Sequence, residues 1–162
     1  MQVGRARPVA LLVDASDAEI DVIAAVGFPV LQLHGAETPE RLAAIKARTG
    51  LEIWKALGVS TRADLDQASD YAAADRILID AKPPEGATRT GGHGATFDWS
   101  ILEEWAAPAP WMLAGGLTPS NVAEAIAATG ATAVDVASGV ERMRGLKDRE
   151  LVRAFIRAAK QP

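Results

Sequence analysis

Six short apolar runs, each followed by a turn and then a helix-like pattern, leave this chain few folds to choose from. The runs are Pro8-Val13, Val30-Leu33, Ile53-Leu57, Arg76-Ile79, Trp111-Ala114 and Ala133-Val136. After them come Ala18-Val26, Pro39-Arg48, Arg62-Tyr71, Trp99-Trp105, Pro119-Thr129 and Asp148-Lys160, where apolar residues recur three and four positions apart. Thr38-Pro39, Thr118-Pro119 and Asp98 supply helix-start chemistry, and Gly27, Gly50 and Gly130 supply stops. Regular alternation of this kind predicts parallel strands joined by crossover helices. Strands that are apolar throughout are covered on both faces. Six units in 162 residues average 27 each, close to the ~30 that a strand–helix repeat of a barrel needs. No linker interrupts them, so residues 1–162 read as a single domain.

Composition removes several function classes. Seventeen Lys and Arg against 21 Asp and Glu leave a formal charge of −4, which argues against nucleic-acid and anionic-membrane partners. There is no cysteine, hence no disulfide, thiolate ligand or thiol nucleophile. Two histidines, His34 and His93, make a protein-only zinc site improbable, and no metal is expected. No apolar run approaches the ~18 residues of a membrane span. The N-terminal apolar run is too short for a secretion signal, so a cytoplasmic protein is expected.

Polar residues gather where the runs end: Asp14, His34, Asp80 with Lys82, Gly115-Gly116, and Asp135 with Ser138-Gly139. In parallel strand–helix folds the ligand binds at that edge, because loops and helix N-termini converge there. For Asp14 alone the plainer reading is a helix cap. Gly115-Gly116 and Ser138-Gly139 follow the last two runs, where residues without Cβ let backbone N–H groups approach an anion; they are candidate phosphate ligands, against the alternative of two tight turns. Asp80 ends an apolar run, where desolvation favours a proton-donating carboxylic acid. Its alternative is a loop cap. Lys82 could oppose that shift or bind substrate charge. His34 could contact ligand or bond across strand ends, and the four tryptophans read as packing. Lys82-Thr96, rich in glycine and proline, is long enough to be a functional loop.

Five segments now stand in a telling order: Leu31-Gln32-Leu33-His34-Gly35, Leu78-Ile79-Asp80-Ala81-Lys82, the stretch from Gly91 through Trp99, Leu113-Ala114-Gly115-Gly116-Leu117, and the stretch from Val134 through Glu141. Together they closely resemble the phosphoribosylanthranilate isomerases of tryptophan biosynthesis, across essentially the whole chain. The resemblance implies an eight-unit TIM-type barrel that performs an Amadori rearrangement without metal or organic cofactor. It places the general acid on Asp80 and the phosphate site on Gly115, Gly116, Ser138 and Gly139. It implies a substrate-facing role for Asp135 and a ligand-covering loop at Gly91-Gly94; His34 and Gly92 join Asp135 as candidate substrate-binding residues.

The same resemblance implies a first strand ending in a cysteine general base, followed by a second unit bearing an arginine. Neither is found here. Counted backward from Leu31-Gln32-Leu33-His34 as the fourth strand, Pro8-Val13 is the third. The expectation is therefore an incomplete barrel with six of eight units, strands three to eight, impaired for want of the base. Its two open strand edges predict self-association. Two alternatives stand beside it: a non-catalytic, phosphate-binding partial barrel that serves as an assembly partner, and another barrel enzyme acting on sugar phosphates.

Overall fold

The computed structural model describes residues 6–82 and 97–161. Its core is a parallel sheet in sequential order: β1 (Val9–Leu12), β2 (Val30–Leu33), β3 (Glu52–Val59), β4 (Arg76–Ala81) and β5 (Trp111–Leu113). The helices are α1 (Asp17–Val26), α2 (Pro39–Thr49), α3 (Arg62–Asp66), α4 (Val122–Thr129) and α5 (Arg149–Ala159). None of the described helices is long and apolar enough to cross a membrane.

The sixth predicted strand is a correction. Ala133-Val136 forms only one parallel bridge, Val134 to Leu113. Leu113 donates to the Ala133 carbonyl at 3.0 Å and the Asp135 N–H returns to Leu113 at 2.8 Å. The bridge is short because β5 is short: two residues past it, Gly115 turns out of the strand at φ +87°.

Helix ends follow their local chemistry. Ser16 and Glu19 close a reciprocal capping box on α1, so Ser16 is the cap and Asp14 is not. Thr38 caps α2 ahead of Pro39. Gly27, Gly50 and Gly130 all end helices in the left-handed conformation. Thr118-Pro119 does not start a helix; α4 begins at Val122, with Asn121 before it. Arg62-Tyr71 divides into α3 and a tighter 3-10 turn at Gln67–Tyr71. Trp99-Trp105 keeps only a 3-10 turn, Trp99–Leu102, with Asp98 accepting from the Ser100 N–H and Glu104 in the left-handed region beyond it. A small antiparallel hairpin, β6 (Glu141–Met143) and β7 (Leu146–Lys147), was not foreseen.

The two faces of the sheet differ. Leu31, Leu33, Ile53, Ile77, Ile79 and Leu113 pack with Ile20, Leu42, Ile45, Leu65, Val122 and Phe155 of the helices in one core. The opposite face carries a smaller cluster, Ala56, Leu78 and Ala114 with Met112. Strand alternation puts Gln32, Asp80 and, one step beyond β2, His34 on that second face. On the edge strand, Leu11 is 57% and Val13 (just past β1) 48% exposed.

Candidate active site

The carboxyl ends of β2 and β4 bring His34 and Asp80 together. The His34 N–H continues the sheet ladder by donating to the Leu12 carbonyl at 2.8 Å. Its ring is held from below by Gln32, whose amide nitrogen lies 3.2 Å from Nδ1. An amide nitrogen only donates, so in this contact Nδ1 accepts and Nε2 is left to face Asp80. That Nε2 lies 3.4 Å from Asp80 Oδ2, with the two side chains 16% and 15% exposed. The other Asp80 oxygen accepts the Ala81 N–H at 2.8 Å. Asp80 is thus oriented from two sides.

Asp135 stands beside the single bridge of the sixth run. It reaches solvent on one side, but the protein crowding its other sides pushes its carboxyl above the ordinary range. The negative charge of Asp80 adds to that rise, while His34 and Lys147 oppose it. Asp80, His34 and Asp135 therefore feel one another's charge across the same rim. Lys147 is anchored beside them, donating to the Ala137 carbonyl at 2.6 Å and to Glu141 at 2.8 Å. Lys82, in contrast, turns to Asp64 at 3.2 Å. Burial would raise Asp64, but bonds from Ser60, Thr61 and Lys82 outweigh it and hold that carboxyl far below the usual range.

The two glycine turns join this rim. Gly115 lies directly on the Ala81 backbone, where a Cβ would collide with the Ala81 nitrogen. Gly139 lies on the Leu117 carbonyl with no room for a Cβ. Asn121 braces the first turn from behind: its Oδ1 accepts the Thr118 N–H at 2.8 Å and its Nδ2 donates to the Gly116 carbonyl at 3.1 Å. Ser138 opens the 3-10 turn Ser138–Val140. The glycine turns and Asp80 therefore lie on the same side of the sheet. Gly92 and His93 lie outside the described residues. Among the described residues, no group of three or more histidine or carboxylate side chains is arranged to hold a metal ion.

Sequence reasoning missed two residues beneath the rim. Lys55 and Glu37 form an ion pair at 2.8 Å, with side chains 2% and 3% exposed. The Lys55 ammonium also donates to the Gly35 carbonyl at 2.7 Å and lies 5.6 Å from the centre of the Tyr71 ring. The signal was a lysine inside an otherwise apolar run, Ile53-Leu57. Packing accounts for Trp105 and Trp111, which meet edge to face at 5.5 Å. Trp54 lies under the Arg76 guanidinium.

The family model described as N-(5'phosphoribosyl)anthranilate (PRA) isomerase matches residues 1–158. A protein of Hyphomonas neptunium named N-(5'-phosphoribosyl)anthranilate isomerase is 69% identical over 160 residues, 99% of this chain and 76% of its own length. A Rhodospirillum rubrum protein of the same name is 56% identical, over 94% of this chain and 71% of its own. Among solved structures, the phosphoribosyl anthranilate isomerase of Thermotoga maritima superposes with a TM-score of 0.81 at 37% identity, covering 94% of this chain and 72% of that one. A phosphoribosyl anthranilate isomerase in complex with reduced 1-(o-carboxyphenylamino)-1-deoxyribulose 5-phosphate superposes with a TM-score of 0.78 at 34% identity, covering 94% and 70%.

Proposed function

The chain belongs to the N-(5'-phosphoribosyl)anthranilate isomerase family, and from that premise we propose how its rim serves the isomerisation. The fold is of the α/β TIM type. The substrate is N-(5'-phosphoribosyl)anthranilate and the product is 1-(2-carboxyphenylamino)-1-deoxyribulose 5-phosphate. Asp80 is the general acid. It gives a proton to the furanose ring oxygen, the C1′–O bond breaks, and the glycosylamine nitrogen supplies the electron pair that forms the C1′=N bond. Loss of the C2′ proton to a base then gives an enol-amine, and tautomerisation leaves a ketone at C2′. Atoms and charge balance without a cofactor.

His34 and Asp135 face the substrate on either side of Asp80. The phosphate lies on the backbone N–H groups of Gly115, Gly116, Ser138 and Gly139. The observation that carries this reading is the His34–Asp80 contact at 3.4 Å on the same rim as both glycine turns. The test is the Asp80→Asn variant, followed by the fluorescence of the anthranilate ring as substrate is consumed. The expected loss is about 10²–10⁴-fold in turnover, with inorganic phosphate still bound. Phosphate binding without turnover in the parent protein would favour the non-catalytic partial barrel instead.

Three finer statements complete the proposal. The described units correspond to strands three to eight of a single barrel domain, a reading supported by the 70–76% of its relatives' lengths that the chain spans. With no cysteine present, no thiolate of this chain removes the C2′ proton. Copies of the chain associate through their open edges in the cytoplasm, a reading supported by the exposed Leu11 and Val13 on the β1 edge.

A further inference from the structure

We propose that Glu37 and Lys55 are positioning residues, a buried ionic clamp that fixes the loop after β2 in the shape that presents His34 to Asp80. The proposal rests on the reading of Asp80 as the general acid and of His34 as its substrate-facing neighbour.

Glu37 and Lys55 act from behind the sheet. Lys55 shares its face of β3 with Ile53 and Val59 of the helix-facing core, whereas His34 and Asp80 lie on the other face. What the pair holds is the backbone of Gly35, the residue next to His34. Glu37 Oε2 accepts the Gly35 N–H at 3.0 Å, and Lys55 donates to the Gly35 carbonyl at 2.7 Å. Both polar backbone atoms of Gly35 are therefore bonded to charged groups, which make shorter and stronger bonds than neutral ones.

The rest of the loop has no slack. Glu37 Oε1 accepts the Asp14 N–H at 2.9 Å, and Asp14 Oδ1 accepts the Ala36 N–H at 2.6 Å. The Tyr71 hydroxyl donates to the Glu37 carbonyl at 3.0 Å. A Cβ at Gly35 would collide with the Asp14 carboxyl, so the loop packs closely against the residue that follows β1 and admits no side chain there. Packing does not require this arrangement. Two charges taken out of water carry a large desolvation cost, and an apolar pair of similar volume fills such a space as well or better. What an apolar pair cannot do is bond the N–H and the carbonyl of one residue, Gly35.

The test compares the parent with Lys55→Met and with the double variant Glu37→Gln/Lys55→Met, which leaves no unpaired charge and so keeps a folded sample in hand. Ile20→Val serves as a weakened control with the clamp intact. The readouts are the His34 ring resonances, assigned with His34→Asn, and the dissociation constants of reduced 1-(o-carboxyphenylamino)-1-deoxyribulose 5-phosphate and of inorganic phosphate. The clamp predicts displaced His34 resonances and analogue binding weakened about 10-fold or more, because small misplacements of a site are costly. Phosphate binding stays near the parent value, and Ile20→Val moves neither readout. Folded clamp variants with His34 resonances and analogue affinity like the parent's overturn the proposal. A parent that fails to bind the analogue overturns the functional reading instead, while the His34 resonances still decide the clamp.

Discussion

Gly139 rests on the carbonyl of Leu117 so closely that no Cβ fits between them. The contact joins the turn after the sixth run to the turn after β5, so the two halves of the proposed phosphate cradle share one van der Waals surface. Gly139→Ala must part them. Overpacking of this kind costs about 1–3 kcal/mol, and the larger effect falls on phosphate affinity, since both turns move. Gly145→Ala is the comparison: it meets open space but stands at φ +79°, so its cost is confined to backbone strain of about 1–2 kcal/mol. Phosphate titration and thermal melts of the two variants separate cradle from strain. Equal phosphate affinities would show that the contact is packing only.

The pairing of His34 with Asp80 is measurable by a double-mutant cycle. His34→Asn and Asp80→Asn each remove one side of the 3.4 Å contact. If the two act as a unit, their effects on analogue binding are non-additive, with a coupling of about 0.5–3 kcal/mol. Additive effects would mean that each binds the ligand independently.

Asp135 gives a pH dependence with a defined sign. Its carboxyl is raised above the ordinary range, first by the protein crowding it on the sides away from solvent and then by the Asp80 charge. A raised folded-state value means that its contribution to stability is fully present below the unfolded carboxylate range, near 3.9, and is lost as pH rises through the folded value. Asp135→Asn therefore stabilises the protein at neutral pH and has little stabilising effect well below pH 4, while it weakens analogue binding. Melting temperatures across that range check the first part. A neutral-pH melt unchanged by the substitution would contradict it.

For Glu37 the sign is opposite. Burial pushes its carboxyl up, yet the Lys55 bond and the Asp14 N–H outweigh burial and hold it below the usual range. Its stabilisation is present above the unfolded carboxylate value, near 4.3, and is lost as pH falls through the folded one. Lys55→Met leaves a buried, uncompensated carboxylate, a loss of about 3–5 kcal/mol at neutral pH. Once that carboxyl is protonated the loss shrinks, so the gap between variant and parent narrows on acidification. Denaturant melts at pH 7 and pH 4 measure it.

Much of this arrangement was legible in the residues. Gly27, Gly50 and Gly130 end helices because only a left-handed residue without Cβ closes a helix cheaply there, and that requirement is written in single letters. Asp80 and His34 were legible because a polar residue at the end of an apolar strand has few other places to point. Thr118-Pro119 misled for the same local reason that made Thr38-Pro39 reliable. The competing demand was tertiary: Asn121 is drawn to the Gly116 carbonyl, and that bond delays the helix to Val122. The sixth strand was overestimated because its partner β5, not its own apolar letters, limits its length. Lys55 and Glu37 escaped because each is 18 positions from the other, and spacing within one element does not reveal a pair made across two.

The exposed edge supplies the last prediction. Strand alternation turns Leu11 and Val13 toward the second face, and Val22 and Val26 of α1 are 63% and 67% exposed nearby. Apolar side chains from Leu11 to Ile23 line an open groove of about 440 Å³ along this edge. Backbone groups of an unpaired edge strand recruit another strand, and charged residues on such an edge prevent it. Leu11→Lys places an ammonium in that groove without touching the rim that carries Asp80. The substitution shifts the protein from an associated species to a monomer in size-exclusion chromatography, and leaves phosphate affinity at the parent value. A parent that runs as a monomer at every concentration would show that this edge does not self-pair. If Leu11→Lys left an associated parent associated, the contact would lie elsewhere, and the edge at Val134 would be the next to charge.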